Sequence, residues 1–198
     1  KTINPMVEGG ILGLRDQHAK DAENNDIKWI DLVVCNLYPF SETISREDCT
    51  HALALENVDI GGPTMIRSAA KNVGWVSVIV DPDDYTIITH ELNTHGEISF
   101  DTRKLLSSKA FGHTAQYDTL IHNYLKDEKL SENFSITFQK HSEMRYGENP
   151  HQSAASYKIP GNNDANILNA IIHQGKKLSY NNIMDADGAL ACVREFDE

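Results

Sequence analysis

The sequence has no basic block, no cysteine pair at metal or redox spacing and no apolar run long enough to cross a bilayer. Its 18 Lys and Arg are outnumbered by 29 Asp and Glu, for a formal charge of -11. Without a basic footprint, nucleic acid is not expected as a partner. No membrane partner is expected either, and no charged n-region followed by an apolar h-region marks a signal peptide. The three cysteines, Cys35, Cys49 and Cys192, are odd in number and far apart, which fits a reducing, cytoplasmic setting. None of the nine histidines stands in HxxxH or HExxH spacing, so no metal site is expected. A GxSxG elbow, a P-loop and a complete dinucleotide fingerprint are missing too. So is an initiator Met: the chain opens on Lys1-Thr-Ile-Asn-Pro and is expected to be a piece of a longer protein.

What is present alternates between strand and helix signals. Residues 30–37 (IDLVVCNL) and 75–80 (WVSVIV) are nearly continuous apolar, β-rich runs, as buried parallel strands are. Residues 1–15 read as turns, and a short helix is expected near 17–24. Ser45 with Asp48 resembles a capping box for a helix reaching Asn57. Acidic residues from Asp81 open another helix that Gly96 ends, and a longer one runs over 101–125. This order predicts an α/β fold with a mostly parallel sheet and flanking helices. Composition shifts near 126–143, and a second, incomplete domain is expected beyond it, with an acid-capped helix from Asp185.

The run DIGGPTMIRSAAKN, residues 59–72, is the centre of the chemistry. Pro63 suits the first position of a helix, and the glycines before it let a ligand approach. Free backbone N–H groups at such a start face an anion, and Arg67 and Lys71 share one helical face. The same pattern also describes a buried helix with two solvated cations. Tyr38, at the end of the first strand, is either a hydrogen-bond donor to a ligand beyond the sheet or an amphipathic plug. Asp59 either caps the turn or orients a polar substrate. Lys71 suits an oxyanion or a phosphate, and the Arg67 fork suits phosphate. Further on, RYGENPHQ (145–152) and LSYNN (178–182) are polar, turn-locked runs with aromatics. His113, in KAFGHTAQYD, reads as a packed or capping residue rather than a ligand.

Taken together, CNLYPF (35–40), DIGGPTMIRSAAKN (59–72), KAFGHTAQYD (109–118), RYGENPHQ (145–152) and LSYNNIMDAD (178–187) resemble the bifunctional purine biosynthesis family. That family joins an IMP cyclohydrolase to an AICAR transformylase. The resemblance implies a methylglyoxal-synthase-like cyclohydrolase domain over 1–130, a linker over 131–143 and the start of a cytidine-deaminase-like transformylase domain over 144–198. It places catalytic roles on Lys1, Tyr38, Asp59 and Lys71. Substrate or phosphate binding falls on Gly61, Gly62, Thr64 and Arg67 in the first domain, and on Arg145, Tyr146, His151 and Asn182 in the second. It further implies purine ribonucleotide intermediates as substrates, a homodimer, 10-formyltetrahydrofolate as cosubstrate of the transfer step, and no cofactor for ring closure.

The family's transformylase Lys-His run is expected beyond residue 198, so this chain alone is expected to lack transfer activity. Near the start, Asn4, Met6, Glu8 and Leu14 stand where the family carries His, Lys, His and Arg, which is expected to weaken substrate affinity. The competing expectation is a methylglyoxal-synthase-like module that binds nucleotide or phosphate without catalysis.

Overall fold

The computed structural model describes residues 3–126, 130–162 and 164–196, which divide into two compact units, 1–135 and 136–198. In the first unit, a parallel pair is formed by β1 (Leu32–Val34) and β2 (Ser77–Ile79), with Val33 opposite Val78. The ladder extends past both ends through Ser77 N–H to the Asp31 carbonyl (2.9 Å) and Cys35 N–H to the Ile79 carbonyl (3.0 Å). Helices α5 (Gly61–Lys71) and α7 (Phe100–Leu125) pack with the strands, and α1 (Pro5–Leu12) packs on α5. Ile11, Val33, Ile66, Ala69, Ala70, Val76, Val78, Val80 and Ala110 form one buried cluster there. The small Ala69, Ala70 and Ala110 let α5 and α7 approach closely, and Ser107 Oγ donates to the Ala70 carbonyl at 2.7 Å across the contact. On β2 the side chains alternate as the pleat requires. Ile79 turns away from that cluster to meet Ile88 of α6 (Tyr85–His95), Ile98 and Leu106 of α7.

Several expectations from sequence are corrected. Residues 5–12 are helical, not turns: Asn4 Oδ1 accepts the Met6 N–H (2.8 Å) as N-cap and Pro5 opens the helix. A side chain at Gly10 would collide with the Lys28 carbonyl, so the glycine permits α1 to lie against the chain before β1. The helix expected after Ser45 is two short ones, α3 (Phe40–Ile44) and α4 (His51–Glu56). Ser45 ends the first by donating to the Ser41 carbonyl, and Thr50 is the cap of the second, accepting Leu53 N–H at 3.1 Å. The helix near 17–24 is present as α2 (Ala19–Asn24). Gly96 ends α6 in the left-handed region at φ 74°, as its residue type allows.

The second unit holds an antiparallel pair, β3 (Gln139–Glu143) with β4 (Ala155–Lys158), irregular between Lys140 and Ser142, and helix α8 (Tyr180–Val193). That helix starts five residues earlier than the acid signal at Asp185 suggested, because Ser179 and Asn182 form a reciprocal capping box. Among the described residues, no helix is long and apolar enough to cross a membrane.

Candidate functional site

The first unit gathers its polar groups beyond the carboxyl ends of β1 and β2, where parallel sheets present ligand crevices. Asp59, buried just before α5, is the centre. Its Oδ1 accepts the Gly62 N–H at 2.8 Å and its Oδ2 accepts the Tyr38 N–H at 3.3 Å. The Asp59 N–H donates in turn to the Tyr117 hydroxyl of α7 at 2.9 Å. One carboxylate thus ties the loop after β1 to the start of α5, and one phenol ties both to α7. Such charge-assisted bonds are among the stronger ones a fold contains. Burial pushes the Tyr117 phenol above its ordinary pKa, and burial followed by the nearby Asp59 charge does the same to the Cys35 thiol.

The helix start differs from the sequence reading. α5 begins at Gly61 itself, so both glycines lie inside the helix and Pro63 sits at its third position, where its missing N–H leaves no bond unmade. Gly62 is required by the approach of Asp59: a Cβ there would stand 2.7 Å from Asp59 Oδ2 and 2.7 Å from Leu37 Cδ2. Its N–H serves an internal anion, not an incoming one. Thr64 Oγ1 donates to the Ile60 carbonyl at 2.8 Å.

Structure does not bring every expected residue to this point. Lys71 is exposed in the last turn of α5, about 15 Å along the axis from Gly61 at 1.5 Å per residue. Arg67 is also exposed, and its guanidinium lies over the Phe111 ring of α7, 5.4 Å from the centroid. Lys1 lies outside the described residues. Two of the departures near the start have partners: Asn4 caps α1, and Glu8 Oε2 accepts the Ser68 Oγ hydrogen at 2.8 Å, tying α1 to α5.

A cavity of about 270 Å³ opens beside the Tyr38 loop. Asn36, Leu37, Tyr38, Pro39 and Val80 meet α7 there, which contributes His113, Gln116, Tyr117 and Leu120. The sequence reading took His113 as a packed or capping residue and left out Gln116 and Tyr117. Their signal was their spacing in KAFGHTAQYD, which places three polar groups and Leu120 along one helical stripe.

In the second unit the two turn-locked runs meet. Arg145 N–H donates to the Leu178 carbonyl (2.9 Å), Tyr180 N–H to the Tyr146 carbonyl (3.2 Å), and Asn181 Nδ2 to the Glu148 carbonyl (3.4 Å). Gly147 and Gln152 close the turn between Arg145 and His151, with Gln152 Oε1 accepting the Asn149 N–H at 2.8 Å. The Arg145 guanidinium lies 4.8 Å from the centroid of the Tyr146 ring. A polar cleft of about 570 Å³ is lined by Lys140, Arg145, His151 and Gln152. Asn182 is spent on the α8 cap, its Oδ1 accepting from Ser179 N–H (3.1 Å) and Oγ (3.0 Å). Among the described residues, no group of three His, Cys, Asp or Glu side chains is placed to hold a metal ion.

Two family models match the chain: the MGS-like domain over residues 1–64 and the AICARFT/IMPCHase bienzyme over residues 69–198. The chain is 52% identical over 203 aligned residues to the bifunctional purine biosynthesis protein PurH of Bacillus cereus (strain AH187), covering 100% of this chain and 40% of that protein. The same protein of Bacillus cytotoxicus is also 52% identical, with the same coverage. The chain therefore spans about 40% of the length of these curated relatives. The crystal structure of ForH is similar at a TM-score of 0.55 and 34% identity, over 62% of this chain and 64% of that one.

Proposed function

Because the chain belongs to the AICARFT/IMPCHase bienzyme family, we propose that its first unit carries IMP cyclohydrolase chemistry and its second the nucleotide-binding start of the AICAR formyltransferase. The first reaction closes the ring of 5-formamidoimidazole-4-carboxamide ribotide. Its carboxamide nitrogen attacks the formyl carbon, and the former formyl oxygen leaves as water to give IMP. The observation that supports this best is the Asp59 carboxylate, buried where the strands end and bound to the backbone N–H groups of Tyr38 and Gly62. Those bonds leave Asp59 lone pairs to orient the attacking amide, and they fix the loop from which Tyr38 addresses the departing oxygen. Lys71 is assigned, with Tyr38, to stabilise that oxygen, and Lys1 to hold the substrate or assist the proton transfer. Both assignments rest on family position, since Lys71 stands a helix length from Asp59 within one chain.

In the second unit, Arg145 and His151 supply the fork and the imidazole suited to the phosphate and carboxamide of AICAR. Tyr146 flanks them, and Asn182 holds the facing helix start. The formyl group would come from 10-formyltetrahydrofolate as cosubstrate. Arg67, Gly61, Gly62 and Thr64 are assigned to the substrate side of the first site, and a homodimer and a cytoplasmic setting are part of the proposal. The three free thiols suit that setting.

The test is ring closure followed spectrophotometrically with this chain and its variants, with sedimentation for the dimer. Asp59→Ala is expected to lower the rate about 100-fold or more, and Lys71→Ala similarly. Unchanged cyclisation in the Lys71 variant removes that residue from the mechanism. IMP binding without any ring closure by the parent chain would instead support a nucleotide-binding module.

A further inference from the structure

Tyr117 has no part in the proposed chemistry, yet its hydroxyl bonds to the backbone of the residue at the centre of it. The phenol accepts the Asp59 N–H at 2.9 Å and donates to the Asn57 carbonyl at 3.4 Å, where α4 ends. Both hydrogen-bonding functions are thus spent on the segment that leads into α5. The ring is 8% exposed and packs edge-on against Phe40, with the centroids 6.3 Å apart. Phe40 follows Tyr38 in the other segment of the site, and its N–H donates to the Tyr38 carbonyl at 2.8 Å. One side chain therefore touches both the segment that carries Tyr38 and the segment that carries Asp59.

Asp59 is held at both ends. Its carboxylate is gripped by the N–H groups of Gly62 and Tyr38, and its main chain by the phenol. The place of the phenol is fixed in turn by Thr114 and Ala110, fully buried one and two turns before it on α7. Burial keeps the phenol above its ordinary pKa, so it retains the proton that it donates to Asn57. Without the hydroxyl, the buried Asp59 N–H loses its partner, and the segment must shift or admit water to satisfy it. Either relief moves the carboxylate, and a displacement of about 1 Å at a reacting group costs on the order of 100-fold in rate.

We propose that Tyr117 is a positioning residue of the ring-closing site, its hydroxyl holding the Asp59 main chain so that the carboxylate meets the attacking amide. This rests on the cyclohydrolase reading and adds to it a residue that acts through Asp59 without touching substrate. The test is a double-mutant cycle on this chain. Tyr117→Phe, which keeps the ring against Phe40, Asp59→Ala and the two together are assayed for kcat and KM in closure of 5-formamidoimidazole-4-carboxamide ribotide.

Tyr117→Phe is expected to lower kcat about tenfold or more, with KM changed by less than about twofold. In the Asp59→Ala background the same change is expected to cost less than about twofold, because the group it positions is gone. In the parent chain the Asp59 amide proton is expected to exchange slowly with solvent, a readout that needs no variant. An unchanged kcat, additive losses in folded variants, or fast exchange of that amide overturns the inference and leaves the cyclohydrolase reading standing. A Tyr117→Phe that does not fold assigns the phenol to the fold alone and overturns it too. A parent chain that closes no ring overturns both.

Discussion

Gly62 shows how a single residue sets the first site. Without a side chain it lets the Asp59 carboxylate sit against the helix start, where a Cβ would be 2.7 Å from Oδ2. Gly62→Ala is therefore expected to displace Asp59 and to destabilise the fold by about 1–3 kcal/mol, read by denaturant unfolding together with weaker IMP binding. An unchanged midpoint and affinity would show that the carboxylate is not held by this approach. His113 gives a pH signature. Its folded pKa lies below the ordinary 6.5, so on acidification the unfolded chain takes up the proton first. Its contribution to stability is whole above that ordinary value and is lost as pH falls through the folded one. His113→Gln should accordingly lose less Tm than the parent between about pH 7.5 and about pH 5.5, and equal losses would remove this residue from the acid response. Asn4 and Glu8, which stand where the resemblance implies histidines, serve as a helix cap and as a partner of Ser68. Nothing in the structure accounts for Met6 or Leu14 in the same stretch.

Among the elements, α7 does most of the joining. It supplies Tyr117 to Asp59, His113 and Gln116 to the cavity, Ser107 to α5 and Lys109 to the Asp81 turn. Its start is fixed by a compact network. Ser99 Oγ accepts the Thr102 N–H at 3.2 Å, while Glu91 of α6 accepts Ser99 N–H at 2.8 Å and Thr102 Oγ1 at 2.6 Å. The Thr102 hydroxyl first, then the Ser99 N–H, holds the Glu91 carboxyl below its usual range. A depressed carboxyl stabilises the fold above its unfolded pKa and loses that effect as pH falls through the folded value. Ser99→Ala removes the cap and is expected to reduce stability by about 1 kcal/mol, seen as a lower Tm at neutral pH, while Thr102→Val, which removes the hydroxyl on Glu91, is expected to move the Glu91 pKa upward by NMR titration. No Glu91 movement would place the depression elsewhere.

Across the whole chain the two units are unequally cored. Every buried hydrophobic side chain among the described residues lies in the first, from Ile11 to Tyr117, whereas the second buries Gly147, Ser156 and Ser179. Apolar burial is the main favourable term in folding, and few buried contacts mean low local opening free energies. Amide hydrogen exchange is therefore expected to be faster in β3, β4 and α8 than in β2, α5 and the middle of α7. Equal protection in both units would show that hydrogen bonding, such as the Arg145–Leu178 and Tyr180–Tyr146 backbone pairs, compensates for the thin core.

The sequence by itself determined the α/β order, the two strands and α7, because their periodicities report burial directly and need no distant partner. It also marked Asp59, Tyr38 and the two polar runs, since their residue types are unusual for a core or a plain loop. Helix boundaries at Gly61, Thr50 and Ser179 escaped it. Local signals at Pro63, Ser45 and Asp185 resembled caps, while the caps actually formed were chosen by which donors ended near which side chains. Only tertiary structure decided that Asp59 joins residues 38, 62 and 117. It also brought residue 145 to 178 and set Lys71 a helix length from Asp59. Contacts between positions tens of residues apart leave no periodic trace in the chain. They arise when packing of α5 and α7 against the strands fixes which polar groups share the space at the ends of β1 and β2.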